Sequence, residues 1–191
     1  MNGKLKWLLF RNGLYTELRA RKNKWPGEIY IGEHFSIGKG SVLDRYRGGS
    51  LTLLDGVTVC QHCKIATCGG DLLIGENSVL GDYTTITAQG GVSIGNNVLF
   101  ADRISLIANE HDYKNIRIPI MNQGSYSSTI TIGDGSWIGT NVTILAGAYI
   151  GKNCVVAAGS VVKGKFPDYC VIGGVPARIL KKYYSEEDIW R

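Results

Sequence analysis

The sequence predicts an all-β protein, a parallel β-helix whose coils wind around a prism of three flat faces. Three observations predict it. Apolar residues recur at every sixth position: Ile132, Ile138, Ile144, Ile150, Val156 and Val162, with the same step at Ile31, Ile37 and Leu43, at Ile74, Leu80 and Ile86, and at Ile94, Phe100 and Leu106. A helix needs spacings of three and four and a strand alternates by two, so a step of six describes a short strand followed by a corner. The pair Ile-Gly marks those corners at 31, 37, 74, 94, 132, 138 and 150. Glycine supplies 26 of 191 residues with only 4 prolines and no Gly-X-Y period, which excludes collagen and suggests many tight, regular turns.

Residues 1–28 form a basic segment. Positions 4–24 read as a helix with Leu5, Leu8, Leu9 and Leu18 as its apolar members, ended by Trp25-Pro26-Gly27. Its Lys4, Lys6, Arg11, Arg19, Arg21, Lys22 and Lys24 stand against Glu17 alone. A solvated or capping helix is one reading; weak contact of residues 1–24 with an anionic membrane surface is the other. The remainder carries 14 basic and 15 acidic residues, so the body is close to neutral and nucleic acid is not an expected partner.

Residues 29–180 form the prism, about seven coils of roughly 18 residues each. Three positions after each Ile of the Ile-Gly pairs stand His34, Gly40, Asn77, Asn97, Gly135, Asn141 and Asn153, residues that tolerate positive φ, so a left-handed corner is expected there. One position further come mostly small residues that fit inside a narrow prism: Ser41, Thr58, Ser78, Thr84, Val98, Ser136, Val142, Ala148, Cys154 and Ser160. The middle coils step by 20 through Leu54, Ile74 and Ile94, with bulged corners at Gly69-Gly70 and Gly90-Gly91. Residues 181–191 read as a C-terminal helical tail, because Ser185-Glu186-Glu187-Asp188 has a capping-box pattern.

The composition, 44% apolar and 19% charged, is that of a folded chain. The apolar run Trp7-Leu8-Leu9-Phe10 is shorter than a secretory core, and five cysteines in odd number suggest reduced thiols, so a cytoplasmic location is expected. Cys60-x-x-Cys63 with Cys68 invites a metal or redox reading, but no second pair exists and Cys60 falls on a core position of the repeat. His34, His62 and His111 lie too far apart for the three-histidine zinc site of a γ-type carbonic anhydrase, and no metal is expected.

The period breaks once. Leu106 to Ile132 spans 26 residues where the repeat needs six, and the loop at 109–130 holds Asn109-Glu110-His111-Asp112-Tyr113, Pro119-Ile120 and Gln123-Gly124. An interruption of this size points to a use. Imidazole, titrating near pH 6.5, suits a general base that removes a hydroxyl proton during acyl transfer, and Glu110 or Asp112 could orient it. The plain alternative is a loop histidine making ordinary hydrogen bonds.

The six-residue repeat, the His-containing loop, Trp137-Ile138-Gly139, Ala158-Gly159-Ser160-Val161-Val162 and Gly174-Val175-Pro176-Ala177 resemble the hexapeptide-repeat acyltransferases over residues 29–180, in particular their maltose/galactoside O-acetyltransferase-like branch. The spacing leaves handedness open; the resemblance implies a left-handed parallel β-helix. It also implies acetyl-CoA as acyl donor, His111 as the base, and a homotrimer with active sites between subunits. On the acceptor side it implies Trp137 and Asn109. Where the family carries Asn, this chain has Gly81 followed by Asp82, which makes Asp82 a candidate acceptor contact. For the donor it implies Gly139, Thr140 and Ala158, with Lys163 or Lys165 and Arg178 near the CoA phosphates.

The expected function is therefore acetyl transfer to a sugar hydroxyl in surface polysaccharide biosynthesis, in the cytoplasm and peripheral to the inner face of the membrane. Transfer to an antibiotic, or to the amine of a nucleotide-linked amino sugar, is the second reading. A non-enzymatic β-helix scaffold is the third, although it leaves the long loop without a purpose.

Overall fold

The computed structural model describes residues 17–19 and 28–191. Short strands stack in parallel into three sheets. The first face takes Ile29–Ile31, Leu51–Leu53, Leu72–Ile74, Val92–Ile94, Ile130–Ile132, Tyr149–Ile150 and Lys165–Phe166. The second takes Ser36–Ile37, Thr58–Val59, Val79–Leu80, Leu99–Phe100, Trp137–Ile138, Val155–Val156 and Cys170–Gly174. The third takes Glu17–Arg19, Val42–Asp44, Lys64–Ala66, Thr85–Thr87, Ser105–Ile107, Thr143–Leu145 and Val161–Val162. The chain thus makes six full turns and begins a seventh.

All seven residues expected at left-handed corners have positive φ, from 50° at Asn153 to 77° at Gly40. The residue after each corner turns inward. Ser41, Ser78, Ser136 and Ser160 are buried, and their hydroxyls serve as rivets. The Ser136 hydroxyl donates to the Gly151 carbonyl at 3.0 Å and accepts the Cys154 amide at 3.1 Å; Ser78 does the same with Gly95 and Val98. These bonds satisfy corner groups that the ladders cannot reach, and an unmade one in such a place costs about 1–3 kcal/mol. On the outside, Asp55, Asp134 and Asp168 each accept an amide of the preceding coil, those of Glu33, Asn96 and Lys152.

The core is one apolar column running the length of the prism, from Ile37 to Ile172. At the corners between the third and first faces the coils approach so closely that a Cβ on Gly70 would lie 2.0 Å from the Ala88 carbonyl oxygen. Only glycine fits there, which accounts for the glycine pairs that lengthen those corners.

Three expectations are corrected. Between residues 51 and 60 the true register is one residue earlier: Leu53 pairs with Ile31 and Ile74, so Leu53 and not Leu54 faces the core, Val57 rather than Thr58 fills the corner, and Val59 rather than Cys60 takes the core position. The additional residues around Gly48-Gly49 shift the count, and burial then decides the register. The C-terminal tail is not helical. Ala177–Tyr184 runs antiparallel to Cys170–Gly174, Ile189–Trp190 folds back on it, and Ser185–Asp188 is the turn between them. The exposed edge of the second face offers a ladder to that segment, and Tyr183, Tyr184, Ile189 and Trp190 have the side chains that pairing favours. In the N-terminal segment, Glu17–Arg19 is a strand paired with Val42–Asp44. The rest of the expected helix at 4–24 lies outside the described residues.

Candidate active site

The interruption at 109–130 is an arm leaving the edge between the third and first faces. It is a two-stranded antiparallel ribbon, Asn109–His111 against Ser125–Ser127, with a single 3-10 turn at Ile120–Asn122. Its root is tied down where Thr129 Oγ1 donates to the Gly90 carbonyl at 2.8 Å. Its tip is closed by Gln123, whose amide accepts the Asn115 amide at 2.9 Å and donates to the Asn115 and Ile118 carbonyls.

Alternation along the ribbon separates its two sides. Glu110 and Tyr126 are opposite one another and share one side. The Glu110 carboxylate accepts the Tyr126 hydroxyl and pairs with Lys163 at 3.1 Å, so the arm is clasped to a coil 53 residues further along the chain. The Tyr126 hydroxyl and then the Lys163 ammonium hold the Glu110 carboxyl below the usual carboxylate range, and Glu110 in turn raises Lys163 and Tyr126. Asn109 and His111 take the other side with Ser125 and Ser127, and His111 is exposed there. On Ser127's side, a cleft of about 490 Å³ opens between the arm and the coils before it, lined by Asp71, Leu73, Gln89, Ser93, Ser127 and Thr129. Glu110 thus braces the arm from behind and does not orient the imidazole. Asp112 accepts the Lys114 amide at 3.2 Å.

The clasp sets a pH dependence for the arm. Because the Glu110 carboxyl is depressed in the folded chain, its contribution is fully present above the ordinary carboxylate range and is lost as pH falls through the lowered value. Amide hydrogen exchange across residues 109–127 is expected to quicken on acidification through that window, and Lys163→Ala is expected to quicken it at neutral pH. Unchanged protection of the arm in the variant would show that the clasp does not hold it.

The other candidate residues lie elsewhere. Trp137, half exposed, stands on the second face. Asp82, Gly139, Thr140 and Ala158 occupy the edge between the second and third faces. Asp82 Oδ1 caps the Gln61 amide at 2.7 Å. Gly139 is buried beneath Ala158, where a Cβ would come within 2.7 Å of the Ala158 nitrogen; Thr140 is half-buried and Ala158 is exposed. Arg178 is exposed on the C-terminal hairpin opposite Gly173, and Lys165 is exposed at the start of the last strand of the first face. Within one chain, His111 and Thr140 therefore sit at opposite edges of the third face. Cys63 points inward and donates to the Gly81 carbonyl at 3.2 Å; burial pushes its thiol up to about 11.

A three-faced coil of hexapeptides, interrupted once by an arm that exposes a histidine, defines an acyltransferase of the repeat type. Family models agree: a bacterial transferase hexapeptide model of six repeats matches residues 129–164, and a hexapeptide repeat of succinyl-transferase matches 72–100. The chain is 34% identical over 171 residues to an Escherichia coli K12 protein described as the lipopolysaccharide biosynthesis O-acetyl transferase WbbJ, covering 86% of this chain and 76% of that one. It is 37% identical over 115 residues to the galactoside O-acetyltransferase of the same strain, covering 60% of this chain and 55% of the relative. A solved galactoside acetyltransferase in complex with coenzyme A superposes with a TM-score of 0.58 at 30% identity, over 69% of this chain and 67% of that one. The chain belongs to the hexapeptide-repeat acetyltransferases, and its fold is their left-handed β-helix.

Tyr126 was not among the residues singled out from the sequence, and Lys163 stood there as a candidate for the CoA phosphates and not as the partner of Glu110. Glu110 stood beside His111 as a candidate for orienting it, and only the ribbon's alternation turns it away.

Proposed function

We propose that this chain transfers an acetyl group from acetyl-CoA to a sugar hydroxyl in surface polysaccharide assembly, with His111 as general base. The observation that carries the reading is that His111 is exposed on the ribbon side it shares with Ser127, while the opposite side of the arm is held by Lys163. The neutral imidazole takes the proton of the acceptor hydroxyl as that oxygen attacks the thioester carbonyl. The resulting oxyanion collapses, the C–S bond breaks, and the departing thiolate recovers the proton from the imidazolium. Backbone N–H groups on an open coil edge are suited to the oxyanion.

For the donor, Ala158 and Gly159 offer an open, side-chain-poor edge, where a Cβ on Gly159 would meet nothing within 4 Å, and Lys165 and Arg178 supply exposed cations for phosphates. Lys163 is committed to Glu110 and belongs to the arm. Because Ala158 and Gly159 lie at the edge of the third face opposite the one from which the His111 arm leaves, the site is complete only where copies meet, and a homotrimer closes it symmetrically. The excess positive charge of residues 1–24 fits work at the cytoplasmic face of a membrane, where lipid-linked glycans present their hydroxyls.

Mixing tests the shared site. His111→Ala and Ala158→Trp variants, each inactive alone, are expected to regain a fraction of wild-type thiol release from acetyl-CoA after the subunits are exchanged. A mixture as inactive as its components would place the whole site within one chain.

A further inference from the structure

Non-glycine residues with positive φ are uncommon, and bulky ones there are outliers that hold strain. Along the edge between the second and third faces the left-handed positions are, coil by coil, Gly40, His62, Tyr83, Arg103, Asn141 and Gly159. Glycine or asparagine fills both ends. Three consecutive coils between them carry His62 at 56°, Tyr83 at 60° and Arg103 at 59°. All three are exposed, Tyr83 by 50%. They are also ordered against one another: the His62 and Tyr83 rings stack with centroids 5.1 Å apart at 14°, and the Arg103 guanidinium lies 5.7 Å over the Tyr83 ring.

The three exposed side chains follow one another at one-rung intervals of about 4.8 Å, a row about 10 Å long. Imidazole, phenol and guanidinium supply hydrogen-bond donors. Beside them run Asp82 and Asp102, each with one carboxylate oxygen on a backbone amide and the second unbonded among the described residues. Arg103 makes no ion pair among the described residues. With Lys39 at the same corner of the first coil, the cations and carboxylates of this stretch balance, which disfavours an anionic ligand and leaves alternating donors and acceptors. That is the pattern a run of hydroxyls satisfies, since each both donates and accepts. The row is longer than one pyranose ring, and it lies on the edge that bears Gly139, Thr140 and Ala158, in the coils just before them.

We propose that His62, Tyr83 and Arg103, with Asp82 and Asp102, form a recognition comb for a neutral oligosaccharide, so that the acceptor is a glycan chain and not a free monosaccharide. This rests on the sugar acceptor proposed above and adds its class. The strain of three left-handed bulky residues is then retained for binding.

The test uses the assembled protein and neutral hexasaccharides of glucose, galactose and mannose against their monosaccharides, with oligogalacturonate as the acidic control, read by ligand line broadening. At least one neutral hexasaccharide is expected to bind 10-fold or more tightly than its monosaccharide, and better than the acidic control. Tyr83→Asn and Arg103→Asn are expected to erase that gain while the melting temperature holds or rises, since asparagine accepts the left-handed corner as Asn141 does. Tyr83→Phe, which keeps the stack, is expected to weaken glycan binding several-fold with no change in melting temperature. Hexasaccharides no better than monosaccharides would overturn the proposal. So would asparagine variants that bind glycan like wild type, a lower melting temperature with binding intact, or a changed number of copies in the assembly, which would make this edge a contact between subunits. His111→Ala separates the two readings. Glycan binding that persists in it while no acceptor supports His111-dependent thiol release keeps the comb and removes the transferase mechanism.

Discussion

Replacing His111 by alanine is expected to lower acetyl transfer by about 10²–10⁴-fold, the range that a general base contributes. The change should be confined to turnover. His111 is exposed, its strand is paired through the backbone to Ser125–Ser127, and the arm is braced from its other side by Glu110, Tyr126 and Lys163. None of those contacts uses the imidazole, so the variant should keep its assembly and its melting temperature. Release of free thiol from acetyl-CoA in the presence of a glycan panel is the measurement. Turnover within a few-fold of wild type would mean that the proton is removed by another group and that the arm has a different purpose.

The second large effect is on stability. Phe100 is 2% exposed and is among the largest fully buried side chains of the prism, in register with Ile138. Phe100→Ala should cost about 3–5 kcal/mol, since a narrow column has little freedom to collapse around the void. That is a large share of the 5–15 kcal/mol typical of a whole domain. The adjacent Leu99 points outward and is 49% exposed, so Leu99→Ala should change stability by less than about 1 kcal/mol. Urea midpoints of the two variants decide the matter; equal losses would contradict the inward and outward assignment. Stacked coils touch only their neighbours, so the Phe100 cavity is also expected to broaden the transition by uncoupling the coils on either side.

These two residues differ in how far the sequence reveals them. Phe100 belongs to a period that repeats through the chain, and its burial follows from counting. His111 is conspicuous because it stands where the counting fails. The left-handed corners at His34, Gly40, Asn77, Asn97, Gly135, Asn141 and Asn153 were legible for the same reason as Phe100: a corner that needs positive φ selects residues that tolerate it. Counting misled at Leu54 and Cys60, because corners of unequal length precede them and only pairing with the coils above and below sets the register. The tail misled in another way. Ser185 to Asp188 has the local pattern of a helix start, but an open sheet edge lies beside it, and pairing with that edge decided the conformation.

Sequence alone determined the three-faced coil, its corners, its apolar column and the place where the arm departs, because each is a local requirement repeated every six residues. Tertiary structure alone decided which way the arm faces, that Lys163 braces it, that Glu110 looks away from His111, and that His111 and Thr140 stand on opposite edges of one face. Those relations join residues up to 53 positions apart, and no local preference encodes a distance that exists only once the coils are stacked.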